Sequence, residues 1–386
     1  MKFLNQFILL VYYKMHAIIG GGIAGCYIGL QLLERKSAFV ILERASKNSA
    51  GKQQTLQRKG INIELGSSEQ HTNQREWMHL LKMLGMEDKI RPFENRDPFF
   101  IWKSQSPAEL QSFFTASHKF LSQAARGMKP GEITVEELAN RFLLEAKKFA
   151  GIHPFWFEIK DQDAHTYFSC LSQEGEYFYL KGGQSQILQA AMDKLRNHIK
   201  FNTPVEYVSK EKGGWLIGTP DEKIFAEKIY ISSNLSASKK ILWLGAPEIS
   251  RYLNTARSMR CLRWFLIFKK PLKLPQTDFS GDFPGKWSFR LNDFVWLISY
   301  VDGDLVDQVK KGNLASEWIN FVRRFFGSDI TYEDIEEQIV ADWNDAYNIL
   351  LPSYFKNRPK LPKNCVITSV AKPCGQAWIE GALIRL

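Results

Sequence analysis

The chain has 386 residues, more than a single hydrophobic core usually serves, so two packed units are expected. Apolar residues make up 45% and charged residues 24%, a balance that excludes a mainly disordered chain. The net charge is +10, but there is no long Lys/Arg run, and the densest spot is only Lys210–Lys212. That pattern reads as a diffusely basic, solvated surface, and no nucleic-acid partner is expected.

Five cysteines stand at positions 26, 170, 261, 365 and 374. The count is odd and no pair has CxxC spacing. A disulfide framework and a structural zinc site are therefore not expected, and a reducing, cytoplasmic setting fits. The seven histidines show no metal-ligand spacing, so no metal is expected. Aromatic residues are abundant, with 27 Phe, 13 Tyr and 11 Trp. They build core first, and they can also line a cavity for a small molecule with an apolar part.

Along the chain, Phe7 to Tyr13 is an apolar run far too short to span a bilayer. Residues 1–14 read as an N-terminal extension, with Met15 standing directly before the first strand. His16–Ile19 is that strand. Gly20-Gly-Gly-Ile-Ala-Gly25 follows as a turn, then a helix from Tyr27 to Leu33. Ala38–Leu42 is a second buried strand that ends at Glu43, which completes a βαβ unit. Residues 99–170 read as mainly helical, and Thr134-Val-Glu-Glu137 is a capping box. Strands are expected at Tyr177–Leu180, Ile199–Phe201, Val205–Val208, Trp215–Ile217, Ile229–Ile231, Leu262–Phe268, Phe294–Tyr300 and Cys365–Thr368. Helices are expected near Ile187–Leu195, at Ala315–Phe326 and from Trp378 to Leu386.

Gly20, Gly22 and Gly25 satisfy GxGxxG. The first permits the tight turn, the second lets a pyrophosphate approach the backbone, and the third lets helix and strand pack closely. The helix N-terminus, at Ile23 and Ala24, offers unpaired N–H groups to phosphate. Glu43 lies 18 residues beyond Gly25, where a carboxylate can accept from a ribose hydroxyl. Alone the glycine pattern is weak. Between a strand and a helix, with the acid in place, it points to dinucleotide binding, without choosing between NAD and FAD.

The choice comes from a resemblance. Gly20–Gly25 with Gly29, then Ile41-Leu-Glu-Arg44, is similar to the opening of the flavin-containing amine oxidase superfamily, which includes phytoene desaturases and protoporphyrinogen oxidases. Ala50-Gly51-Lys52 takes the place of that family's Gly-Gly-Arg. Ile63-Glu-Leu-Gly-Ser67, Lys181-Gly-Gly183, Asn202-Thr-Pro-Val205, Asp342-Trp-Asn-Asp-Ala-Tyr347 and Trp378-Ile-Glu-Gly-Ala382 follow in the family's order. The resemblance implies an FAD cofactor. It places Gly20, Gly22, Ile23, Ala24, Gly25, Glu43, Arg44, Lys52, Gly66, Ser67, Val205, Trp378 and Ile379 around it. It also places Arg263 where a lysine often stands near the flavin N5, and Trp378 against the ring, so these two are the catalytic candidates. Three departures stand out: Arg263 stands in place of that lysine, Lys52 replaces an arginine and loses its planar fork, and Thr368-Ser-Val370 holds no carboxylate where the family has one.

The fold expected is α/β, a Rossmann-like FAD-binding domain interleaved with an α+β substrate domain. The first would take residues 15–95, 175–240 and 355–386, the second residues 96–174 and 241–354. The activity implied is that of an FAD-dependent oxidoreductase moving a hydride from a substrate carbon to flavin. The same fold also serves non-redox binding proteins such as the Rab GDP-dissociation inhibitors, and flavin-dependent isomerases resembling UDP-galactopyranose mutase.

Overall fold

The computed structural model describes residues 15–49, 51–68, 70–92, 99–102, 105–171, 175–274, 278–283, 285–370, 373 and 382–386. Strand β1 (His16–Ile19), helix α1 (Ile23–Glu34) and strand β2 (Phe39–Leu42) form the expected βαβ unit. β1 and β2 pair in parallel, with His16 opposite Phe39 and Ile19 opposite Leu42. They form the middle of a five-stranded parallel sheet with Lys228–Ile231 and Cys365–Ile367 beyond β1, and Ile199–Lys200 beyond β2. Both faces of such a sheet are covered, which is why these strands are short unbroken apolar runs rather than alternating ones.

Helix α1 is apolar nearly all round and is buried from Ile23 through Leu32. A helix of that kind belongs inside a protein. It lies in one core with Ile41 of β2, Trp77, Leu80 and Leu81 of the helix Arg75–Leu84, and Ile187 and Leu188 of the helix Ser185–Lys194. The opposite face of the sheet is covered by a small four-stranded sheet that carries Val208, Trp215 and Ile224.

The second large sheet has six strands in the order Ile335–Leu350, Ala256–Phe268, Val295–Asp302, Trp287–Asn292, Asp278–Gly281 and Phe99–Ile101. Its first five are antiparallel, and the last pairs in parallel. One face packs Phe279, Trp296 and Phe268 against Trp318 and Val322 of the helix Leu314–Phe326. Each such aromatic side chain contributes on the order of 2–3 kcal/mol by leaving water. Near the far edge of this sheet lies a helical layer from Pro107 to Leu171. In it Thr134 and Glu137 form both halves of the expected capping box. The architecture is thus α/β, with a Rossmann-like parallel sheet whose strands are interleaved in sequence with those of a mixed sheet.

Three expectations need correction. The strand expected at Val205–Val208 begins only at Tyr207, because Val205 stands in the connection that the Thr203 N–H ties to the Glu43 carbonyl. No helix runs through Ala382–Leu386; the segment is held by backbone and side-chain contacts to Gln31, with Leu383 buried in the α1 core. Cys170 is disulfide-bonded, while Cys26, Cys261 and Cys365 are buried free thiols. Cysteine count and local spacing are blind to a single bridge. Among the described residues no helix is long and apolar enough to cross a membrane, and no cluster could hold a metal ion. The expected extension, residues 1–14, lies outside the described residues.

Candidate functional site

The glycine turn is built from backbone. Gly20 has φ +108°, a value that side chains rarely tolerate, and a Cβ there would stand 2.5 Å from the Ser233 nitrogen. At Gly25 a Cβ would overlap the Gly20 carbonyl, so α1 can approach β1 only with hydrogen at that position. Gly22 differs. It is the N-cap of α1, and the nearest atom to its Cβ position is Gly51 Cα at 4.0 Å. Among the described residues nothing else comes within 4 Å of that point, so the space in front of it is open to a ligand.

Glu43 closes β2 at the same turn. Its Oε2 accepts from the Gly21 N–H at 2.6 Å and its Oε1 from the Ala45 N–H at 2.8 Å. Both oxygens are thereby aimed, and each keeps a further lone pair. Arg44 is exposed beside it. The structure therefore brings Gly20, Gly22, Ile23, Ala24, Gly25, Glu43 and Arg44 together at the carboxyl end of β1 and β2, where open α/β sheets bind ligands. Val205 is half-buried near this end and packs on the core beneath the sheet. Where the resemblance implies a carboxylate, Ser369 instead joins Ser233 and Ser238 in a buried hydroxyl cluster: its hydroxyl meets the Ser238 hydroxyl at 2.7 Å and the Ser233 carbonyl at 2.6 Å.

A second group lies where the hairpin Thr55–Glu64 meets the mixed sheet. Lys52 donates to the Ala346 carbonyl at 2.8 Å. Burial holds its pKa below the ordinary lysine value, with nearby Asp345 opposing. A Cβ on Gly66 would overlap the Lys52 carbonyl, and the Trp343 indole donates to the Leu65 carbonyl at 2.7 Å. Ser67 accepts from Gln70 Nε2 at 3.0 Å. Arg263, on the strand Ala256–Phe268, donates to the Glu64 carbonyl at 3.0 Å and to the Ser68 hydroxyl at 3.4 Å, with its guanidinium 5.1 Å from the Tyr300 ring centroid. It thus ties the hairpin to the mixed sheet. The Glu64 carboxyl accepts from the Thr55 hydroxyl and the Gln184 N–H, yet burial pushes its pKa up to about 7. Around the hairpin four buried glutamines, Gln53, Gln70, Gln74 and Gln184, each leave at least one amide atom without a hydrogen-bond partner among the described residues. Buried orphans of this kind are costly unless something satisfies them. Trp378 and Ile379 lie outside the described residues.

The residues that sequence reading missed sit on the mixed sheet. Cys261 and Asp302 are buried there, beside the half-buried Tyr300, Tyr347 and Arg263. Cys261 faces Asp302 across the strand pair, and Arg263 faces Tyr300. The available signal was an acid ending the otherwise apolar run Val295–Asp302.

The comparisons with known proteins bear on the fold. Residues 18–84 match the model of the NAD(P)-binding Rossmann-like domain family. No curated protein sequence matches the chain. Among solved structures, the chain is similar to wild-type putrescine oxidase bound to putrescine, at 14% identity, 96% coverage of both chains and a TM-score of 0.76. It is similar to cyclohexylamine oxidase from Brevibacterium oxydans IH-35A to the same degree, at 14% identity, 96% of both chains and a TM-score of 0.76. At that identity the likeness defines the fold, end to end, as that of these two amine-oxidising enzymes.

Proposed function

We propose that this chain is an FAD-dependent oxidoreductase resembling the flavin amine oxidases, which takes a hydride equivalent from a carbon of a small molecule, often a carbon next to nitrogen. The observation that carries the reading is the turn at Gly22. There a helix N-terminus faces open space, beside a carboxylate already aimed by two N–H groups. A pyrophosphate fits the first and ribose hydroxyls fit the second. The orphaned glutamine amides around Glu64 supply polar atoms for the rest of a large polar cofactor.

In this reading Gly20, Gly22, Ile23, Ala24 and Gly25 form the phosphate turn. Glu43 holds the ribose, Arg44 covers its rim, and Val205 offers backbone to the adenine. Lys52, Gly66 and Ser67 flank the flavin end, with Trp378 and Ile379 assigned there by resemblance. Bound FAD would supply the electron sink; the protein supplies orientation, exclusion of water and charge. Arg263 cannot give up its proton near neutral pH, so its part is electrostatic: a fixed cation lowers the cost of negative charge that develops beside it. The FAD-binding part would comprise residues 15–95, 175–240 and 355–386, and the substrate part residues 96–174 and 241–354.

The visible spectrum of the purified protein tests this. Oxidised flavin absorbance, lost on anaerobic addition of an amine substrate, is expected. A colourless protein that also refuses added FAD sinks the reading.

A further inference from the structure

We infer that Asp345 is a positioning residue for the cofactor: from a bulge of the mixed sheet it supplies the counter-charge that keeps Lys52 cationic beside the phosphate turn. This deepens the FAD-dependent oxidoreductase reading and rests on it. The strand register shows the bulge. Where the strands Ala256–Phe268 and Ile335–Leu350 pair, Met259 faces Tyr347 and Cys261 faces Trp343. Arg260 alone therefore stands opposite Asn344, Asp345 and Ala346. Extra residues of this kind bend a strand and re-aim its side chains.

The bulge is docked on the Rossmann-like side at two points. The Ala346 carbonyl accepts from the Lys52 ammonium at 2.8 Å, and Asp345 Oδ2 accepts from the Ser236 N–H at 2.8 Å. Just beyond the bulge, the Asn348 amide donates to the Ser369 carbonyl at 2.8 Å. The bulge thus adjoins Thr368–Val370, the segment without the carboxylate that the resemblance implies. Asp345 brings a carboxylate to the same neighbourhood from another strand.

Lys52 borders the open space in front of Gly22. Gly51, the residue before it, provides the nearest atom to the Gly22 Cβ position, at 4.0 Å, and a Cβ on Gly66 would overlap the Lys52 carbonyl. Its ammonium gives one hydrogen bond to Ala346, and an ammonium has three to give. Burial lowers its pKa, and Asp345 is the charged group that opposes the shift. Lys239, on the helix Leu235–Lys240, is the other cation beside Asp345. Burial lowers its pKa too, with Asp345 again opposing, and the Ala256 carbonyl holds its ammonium at 3.0 Å. An arginine stays charged without help, whereas a buried lysine gives up its proton readily. Lysine at position 52 thus creates the need that Asp345 meets.

A pyrophosphate at the turn carries negative charge that a neutral Lys52 would leave uncompensated. Above the pKa of Lys52, FAD binding must therefore take up a proton, and affinity falls with rising pH by up to about tenfold per unit. Without Asp345 that decline begins at a lower pH. Near pH 6 the lysine is charged in either case, so binding there changes little.

The test is equilibrium dialysis of the FAD-loaded protein between about pH 6 and about pH 9, with retained flavin read by absorbance. The proteins are wild type, Asp345→Asn, Asp345→Glu, and Lys52→Arg alone and combined with Asp345→Asn. Asparagine keeps an oxygen for the Ser236 N–H, so the bulge stays docked. Asp345→Asn should weaken FAD binding on the order of 10-fold at pH 9 and less than about 2-fold at pH 6. Asp345→Glu should restore part of the loss at pH 9. In the Lys52→Arg background, where the charge is permanent, Asp345→Asn should add no alkaline loss. Far-UV circular dichroism verifies that each variant is folded. An equal loss at both pH values, an unchanged pH profile in folded Asp345→Asn, or the same alkaline loss with Lys52→Arg overturns the inference and leaves the bulge a structural joint. A protein that never takes up FAD overturns the oxidoreductase reading instead. On that colourless protein, acetic anhydride labelling of Lys52 against pH, read by mass spectrometry, still decides the role of Asp345: the midpoint must lie lower in Asp345→Asn than in wild type, and equal midpoints refute it.

Discussion

The glycine turn and the polar group around Asp302 are made of different material. The turn is built from backbone: a left-handed Gly20, a Gly25 that lets α1 touch β1, and N–H groups that aim Glu43. The polar group is built from side chains of three strands, with Cys261, Tyr300, Asp302 and Tyr347 brought together by sheet register. Geometry of the first kind is dictated locally, by which residues have no Cβ. The second kind depends on pairings between segments some 40 to 90 residues apart. The first can recognise what all dinucleotides share.

The largest expected effect breaks the turn itself. Gly25→Val places two methyl groups where even a Cβ overlaps the Gly20 carbonyl. The backbone must shift there, and strain at such a site costs several kcal/mol. The soluble yield should collapse, or the melting temperature should fall by more than 10 °C if the protein survives. A near-wild-type melting curve would mean that α1 does not approach β1 as described.

Gly22→Val should separate binding from folding. The space in front of Gly22 is open, so the protein itself loses little by filling it. A ligand that needs that space loses its approach, and FAD content should drop on the order of 100-fold at unchanged circular dichroism. Full flavin content in this variant would remove the pyrophosphate assignment and leave the turn as a purely structural device.

This contrast also explains what the sequence made legible. Strand, glycine turn, helix, strand and acid are consecutive, so β1, α1, β2 and Glu43 were readable with their roles. The helical stretch 107–171 and the aromatic strands near 262–268 and 294–300 were readable too, from capping and from apolar runs. Asp302 was not, because an acid at the end of an apolar strand looks like a solvated strand terminus until its neighbours are known. Arg263 was found only through a resemblance. Its contact with the Glu64 carbonyl joins residues 199 apart in sequence. Val205 was misjudged as strand because Val is a good strand former, whereas the bond from Thr203 to Glu43 fixes that segment as a connection.

Arg263→Ala tests the junction between the two regions. The change removes a fixed cation and the tie to the hairpin, while the glycine turn stays intact. FAD should remain bound, and flavin reduction by a true substrate should slow by roughly 10- to 100-fold. Arg263→Lys should recover part of the rate, because it keeps the charge and loses only the fork. Reduction at the wild-type rate in Arg263→Ala would assign the residue to structure alone.

The smallest effect concerns pH and the buried His153. His153 is buried among Phe114, Phe149 and Trp156, and burial with neighbouring His118 depresses its pKa to about 3. In the unfolded chain it would take a proton near pH 6.5. Protonation therefore favours the unfolded state between those two values. Its contribution is fully present above about pH 6.5 and is lost progressively as pH falls toward 3, at about 1.4 kcal/mol per pH unit. By pH 5 the loss is about 2 kcal/mol from this group, and His118, also lowered by burial, adds in the same direction. His153→Phe should be less stable than wild type at pH 8, because the Phe155 N–H loses its acceptor. It should also lose less stability between pH 7 and pH 5. Denaturant melts at those three pH values measure both. If the two proteins lose stability in parallel from pH 7 to pH 5, His153 accepts a proton in the folded state, and the helical layer around it is wetter than the structure shows.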